Sequence, residues 1–242
     1  MTDDLPDRAT DLPSAFLDIP GVRNFRDAGG VGALRRGVLY RSGSFHTLTP
    51  EGAQRLKALG LRTVIDLRSP VELDVWPDLH HGLEHETLHV PTLPANREDV
   101  DRPWPEDQEE LYPFMAGTAG PSLVAIVRRL GDPGTLSAVV HCAVGKDRTG
   151  LTIAVLQSLL GASDADITAD FLLSNAGLGL LDGPTPYLDE TGTERVSRPI
   201  SAPLLASSLA WIRDRHGSVP DYLRAHGATE DDLAALRANL SA

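Results

Sequence analysis

The chain has 242 residues, 22 basic and 34 acidic, with a formal net charge of −12 and a single cysteine. That length suits one large domain with a substantial core. The acidic balance speaks against a nucleic-acid surface, and one thiol excludes an intrachain disulfide.

Residues 1–18 are rich in Asp and Pro and are expected to be mobile, leaving a single domain over 19–242. The start, Met1-Thr2-Asp3-Asp4-Leu5-Pro6-Asp7, lacks the basic and apolar regions of a signal peptide, so a cytoplasmic location is the expectation. No run approaches the roughly 18 apolar residues of a membrane helix. Val38–Arg41 reads as a strand. Thr49 and Pro50 open a helix as N-cap and first helical residue, and Gly60 closes it. Thr63–Leu67 and Glu86–Val90 read as two more strands.

Residues 91–113 then carry five prolines and the acids Glu106, Asp107, Glu109 and Glu110, which predicts an irregular loop. Pro121–Leu130 follows as a helix, Leu136–Val140 as a buried strand, and Thr149–Leu160, stopped by Gly161, as a buried helix. Ser163-x-x-Asp166 and Thr229-x-x-Asp232 resemble capping boxes at two later helix starts. Between them, residues 176–203 hold Gly177, Gly179, Gly183, Gly192, Pro184, Pro186, Pro199 and Pro203, a second irregular stretch. Such loops are either plain solvated surface or flanks of a site. No internal repeat is visible. The alternation predicts an α/β fold, a central mainly parallel sheet flanked by helices, with a helical C-terminal part.

The chemistry concentrates in His141-Cys142-Ala143-Val144-Gly145-Lys146-Asp147-Arg148-Thr149-Gly150. A strand feeding a tight loop and then a helix aims the unpaired N–H groups of the helix start at whatever occupies the loop. Those amides and the helix dipole form an anion site. Gly145 allows close backbone approach, and the Arg148 guanidinium can grip two phosphate oxygens. The same field favours the thiolate of Cys142, a nucleophile placed for in-line attack on phosphorus. Thr149 could donate a hydrogen bond to the departing sulfur, and His141 could position the loop. The bland reading of Cys142 is a small buried hydrophobe.

The segment is similar to H-C-x5-R-[ST], the signature of cysteine-dependent protein tyrosine phosphatases. Its Gly-Lys-Asp-Arg-Thr-Gly form resembles the bacterial tyrosine/lipid branch of that superfamily. Pro20-Gly21-Val22-Arg23-Asn24-Phe25-Arg26-Asp27, Val64-Ile65-Asp66-Leu67-Arg68-Ser69, Phe171-Leu172-Leu173-Ser174-Asn175 and Tyr222-Leu223-Arg224 resemble further markers, so the likeness runs from about Ile19 to the C-terminus. It implies a tyrosine-phosphatase-like fold and hydrolysis of phosphomonoesters through a phosphocysteine, with phosphorylated protein or phosphoinositide as substrate and inorganic phosphate as product. No cofactor and no metal are implied. The backbone of Ala143, Val144, Gly145, Lys146, Asp147 and Arg148 would cradle the phosphoryl group. Asp147 would be the proton donor, and Lys146 would meet a second phosphate on an inositol ring. Family members are also exported, so export without a cleaved signal stays open. The family's long helical lid has a shorter, proline-rich counterpart here.

Several residues admit two readings. Asp66 is the second candidate for the general acid, or the partner of Arg68 in a structural salt bridge. Asp27 could orient Arg26 or close the turn before Gly29-Gly30. Lys146, Arg148, Arg26, Arg41 and Arg68 would make the site locally positive if the strand ends converge. His80, His81, His85 and His89 could hold a metal, but no compact ligand motif is present and surface histidines are simpler. A phosphate-binding recognition module without turnover is the alternative to an enzyme, and the intact Cys142, Arg148 and Thr149 argue against it.

Overall fold

A computed structural model describes residues 15–94, 99–101, 103–189 and 191–241. Its main sheet has five short strands: β1 (Arg26–Asp27), β2 (Leu39–Ser42), β3 (Thr63–Asp66), β4 (Glu86–His89) and β5 (Ala138–His141). They lie in the order β1-β2-β5-β3-β4, parallel except for the β1–β2 pair. The chain therefore crosses over to place β5 at the centre, where both its neighbours shield it.

Side chains alternate across a strand, and here both faces are apolar. Leu39, Ile65, Ala138 and Val140 enter the larger core. Tyr40, Val64 and Val139 enter a second core with Phe25, Phe45 and Leu56. Helix α1 (Pro50–Ala58) covers that second face, capped as expected by Thr49, whose side chain accepts from the Gly52 amide, with Pro50 in the first turn. The larger face is covered by α3 (Gln108–Thr118), α4 (Gly120–Gly131), α5 (Asp147–Leu159), α6 (Asp164–Gly177), α7 (Ala202–His216), α8 (Val219–Ala225) and α9 (Glu230–Leu240). Double-sided cover is what parallel strands require. Ser163 and Thr229 cap α6 and α9. Among the described residues no helix is long and apolar enough to cross a membrane.

Four departures from expectation matter for the site. Ala15–Asp18 are paired rather than loose: Leu17 N–H donates to Phe25 O and Asp27 N–H to Ala15 O; residues 1–14 lie outside the described residues. A short helix, α2 (Pro70–Val75), follows β3 and is held by a reciprocal capping box between Ser69 and Glu72. The stretch 91–113, of which 95–98 and 102 lie outside the described residues, is not irregular throughout, because α3 starts at Gln108. Asp107 caps it, and burial of Tyr112, Phe114, Met115 and Ala116 outweighs the cost of Pro113 inside the helix. Within 176–203, α6 runs on to Gly177, and β6 (Thr185–Leu188) pairs antiparallel with β7 (Glu194–Ser197); residue 190 lies outside the described residues.

Candidate active site

The loop after β5 is held from behind by its carbonyls. Asn24 Nδ2 donates to Gly145 O at 2.9 Å and Arg41 Nη2 to the same oxygen at 3.3 Å. Ser44 donates to Ala143 O through both its amide and its hydroxyl, and His141 Nδ1 lies 3.2 Å from Cys142 O. Gly145 has φ +72°, and a Cβ there would sit 2.3 Å from the Ser42 carbonyl oxygen. Only glycine fits that backbone and that gap. Helix α5 begins at Asp147, two residues earlier than expected, and among the described residues no side chain caps it. Its positive end therefore opens onto the loop.

A cavity of about 1060 Å³ lies in front of the loop, walled by Ala143, Val144, Lys146, Asp147 and Arg148. Its far walls come from α2 (Glu72, Trp76), the start of α3 (Gln108, Leu111) and the β6–β7 hairpin (Tyr187, Arg198). Both stretches of loop-like composition thus border the cavity. Cys142 is only 2% exposed and is not part of that wall, so its sulfur meets only what the loop admits. Thr149 is fully buried, and among the described residues its Oγ1 has no hydrogen-bond partner.

The Arg148 fork is engaged by a carboxylate. Its Nη1 and Nη2 donate to Glu72 Oε2 and Oε1, both at 2.6 Å. Burial, the largest single influence on Arg148, disfavours its charge, but the bond to Glu72 and the negative charges around it together outweigh it and hold the guanidinium above its ordinary value. Burial likewise raises Glu72, yet the bonds and charge of Arg148, joined by the Ser69 donors, together win and pull it down to about 2.

Asp147 reaches the cavity with one oxygen already bound. Tyr112 OH donates to its Oδ1 at 2.7 Å, Gln108 Nε2 lies 3.5 Å from the same atom, and Lys146 Nζ lies 3.8 Å from Oδ2. Lys146 is itself 4% exposed, its ammonium donating to Arg198 O at 2.8 Å and to Ser197 Oγ at 3.4 Å, which ties the loop to the end of β7.

The remaining candidates converge behind the loop. Asp66 is buried away from the cavity wall, and Arg68 Nη2 lies 2.7 Å from it and 2.9 Å from Asp78. Arg26 and Arg41 share Asp170 at 3.4 and 2.7 Å. The three arginines thus brace the site, and only Arg41 touches the loop, through a carbonyl. Asp27 closes the turn, accepting from the amides of Gly29 and Gly37. His81, His85 and His89 each have a ring nitrogen near a backbone carbonyl, and His80 packs on His85 with ring centres 4.8 Å apart. Among the described residues one grouping, Asp66, Asp78 and His141, has metal-like spacing. The Arg68 guanidinium already supplies its cation.

Glu72, Asp78, Tyr112 and Asp170 went unseen in the sequence. Ser69-x-x-Glu72 was readable as a capping box. The others carry no local signal.

The tyrosine phosphatase family matches residues 17–242, and the chain belongs to that family. A Cupriavidus necator protein named as a candidate tyrosine-protein phosphatase is 30% identical, covering 89% of this chain and 85% of that one. The triple specificity protein phosphatase PtpB of Mycobacterium tuberculosis is 28% identical over 92% of this chain and 98% of its own. A tyrosine-protein phosphatase of Nostoc commune is 24% identical, over 86% and 76%. The chain is accordingly a phosphatase of the protein-tyrosine-phosphatase class, with the mainly parallel α/β fold expected of it.

Proposed function

We propose that the protein hydrolyses phosphomonoesters, phosphotyrosine foremost, through a phosphocysteine on Cys142. The observation that carries this is the placement of a lone sulfur between β5 and the uncapped start of α5, under a loop whose carbonyls are tied back. The sulfur attacks phosphorus as the bond to the leaving oxygen breaks, and Asp147 gives that oxygen a proton. Water then attacks phosphorus, the S–P bond breaks, Asp147 recovers a proton and inorganic phosphate leaves. Arg148 and the loop amides hold the phosphoryl oxygens throughout, with Glu72 fixing the plane of the fork. The buried Thr149 hydroxyl, without a hydrogen-bond partner among the described residues, is available to the departing sulfur. Asp66, committed to Arg68, serves the frame instead of the proton.

The cavity has room for a phosphoserine or phosphothreonine side chain or a phosphoinositide head group as well. To meet a second phosphate, however, Lys146 would have to give up Arg198 O, which places the inositol lipid behind phosphotyrosine.

The test is phosphate release from an aryl phosphate by wild type and Cys142→Ser. The substitution should cost at least about 10³-fold, and acid quench of wild type should trap phosphate on Cys142. Equal rates in the two proteins, or tight phosphate binding without turnover in either, would overturn the reading.

A further inference from the structure

Asp147 sits in the loop, but the residue that aims it comes from another element. Tyr112 lies at the middle of α3, fully buried, with its hydroxyl 2.7 Å from Asp147 Oδ1. Its ring is locked edge-on against Phe171, ring centres 5.9 Å apart. Phe171 in turn lies against Gly150 of α5, where a Cβ would come within 2.8 Å of the ring. The Tyr112 carbonyl accepts from Ser208 Oγ at 2.7 Å, which pins α3 to α7. Gln108, one turn earlier on the same face, approaches the same carboxylate oxygen. Burial first, and the negative charge of Asp147 second, hold the Tyr112 phenol well above its ordinary value, so the hydroxyl remains a donor wherever the enzyme works.

A carboxyl group can carry its transferable proton on either oxygen. Here one is occupied by a fixed donor. A proton on Asp147 therefore sits on Oδ2, which has the Lys146 ammonium 3.8 Å away, beyond hydrogen-bond distance, and rotation of the carboxyl group is blocked. We propose that Tyr112 is a positioning residue for proton transfer: it holds Asp147 Oδ1 so that Oδ2 delivers the proton to the leaving oxygen and takes one back from water. This rests on Asp147 being the general acid, as argued above.

The experiment compares wild type, Tyr112→Phe, Asp147→Asn and the double variant on para-nitrophenyl phosphate and phenyl phosphate. A nitrophenolate leaves without help, whereas phenolate needs a proton. Tyr112→Phe should lower kcat/KM, which reports the step that expels the leaving oxygen, about tenfold on phenyl phosphate but less than about threefold on the nitrophenyl ester. Asp147→Asn should show the same pattern more strongly, and adding Tyr112→Phe to it should cost nothing further. Inhibition by inorganic phosphate should stay at its wild-type strength in Tyr112→Phe. If that variant loses the same factor in kcat/KM on both esters, or nothing on either, while Asp147→Asn keeps its leaving-group dependence in kcat/KM, the positioning role fails and the general acid stands. A Tyr112→Phe enzyme that no longer binds phosphate also overturns it, since the hydroxyl would then serve the shape of the loop. If Asp147→Asn shows no dependence on the leaving group, both ideas fall together.

Discussion

Two buried ion clusters flank β5 behind the loop, and they are built with opposite arithmetic. On the β1–β2 side Arg26 and Arg41 share one carboxylate, Asp170. Asn24 Oδ1 and Ser174 Oγ take further guanidinium hydrogens. On the β3 side one guanidinium, Arg68, is shared by Asp66 and Asp78, with Trp76 O as a further acceptor. Burial, helped by the charge of Arg41, pulls Arg26 below its ordinary value, with Asp170 opposing. Burial also works against Arg68, yet its paired carboxylates win and hold it above. The first cluster is short of negative charge and the second has carboxylate to spare. The cation-rich side reaches the loop through Arg41 at Gly145 O, and the acid-rich side through His141, whose Nε2 lies 3.3 Å from Asp78 Oδ2 and whose Nδ1 lies 3.2 Å from Cys142 O.

The sharpest way to break this contrast is Asp170→Ala. It strands two buried guanidiniums, and removing the partner of a buried charge costs about 3–5 kcal/mol. The loss should appear as a lower urea midpoint at constant slope. A loss below about 1 kcal/mol would show that neutral acceptors alone sustain both arginines.

The one-to-one pair of Glu72 and Arg148 gives an intermediate reference with a pH signature. Glu72 is held at about 2 against an ordinary value of 4.5. A depressed carboxylate stabilises the fold fully above its unfolded value, and that stabilisation drains away as pH falls from 4.5 through about 2. The stability gap between wild type and Glu72→Gln should be at most about 3 kcal/mol at neutral pH and should close across that window. A gap independent of pH would mean that the carboxylate charge is not what is lost.

Asp78→Asn should do least, about 1–2 kcal/mol by the same denaturation measurement, because Arg68 keeps Asp66. If it matched Asp170→Ala, the idea of a redundant cluster would be wrong.

What was legible from sequence was what is local. β5, the loop and α5 lie within one run of the chain, so Cys142, Gly145 and Arg148 announced themselves. Thr49-Pro50 and Thr229-x-x-Asp232 likewise marked helix starts through neighbours a few residues apart. Pairings across the chain left no such trace. Glu72 reaches Arg148 across 76 residues and Tyr112 reaches Asp147 across 35. Helix α3 was hidden because Pro113 and the acids before it read as loop, whereas the buried face that stabilises it exists only once α7 is in place. The hairpin β6–β7 was masked in the same way by the glycines and prolines around it.

The closed seat of Cys142 also shapes how the protein meets oxidants. A small peroxide can reach what a bulky thiol cannot, since the sulfur is 2% exposed. The chain offers no second thiol to capture a sulfenic acid as a disulfide. Recovery of the oxidised sulfur then depends on a backbone nitrogen closing a sulfenamide, or on the loop opening to an outside reductant. Without either, oxidation proceeds to the irreversible acids. The packing that hides the Cys142 sulfur is therefore also what slows its rescue.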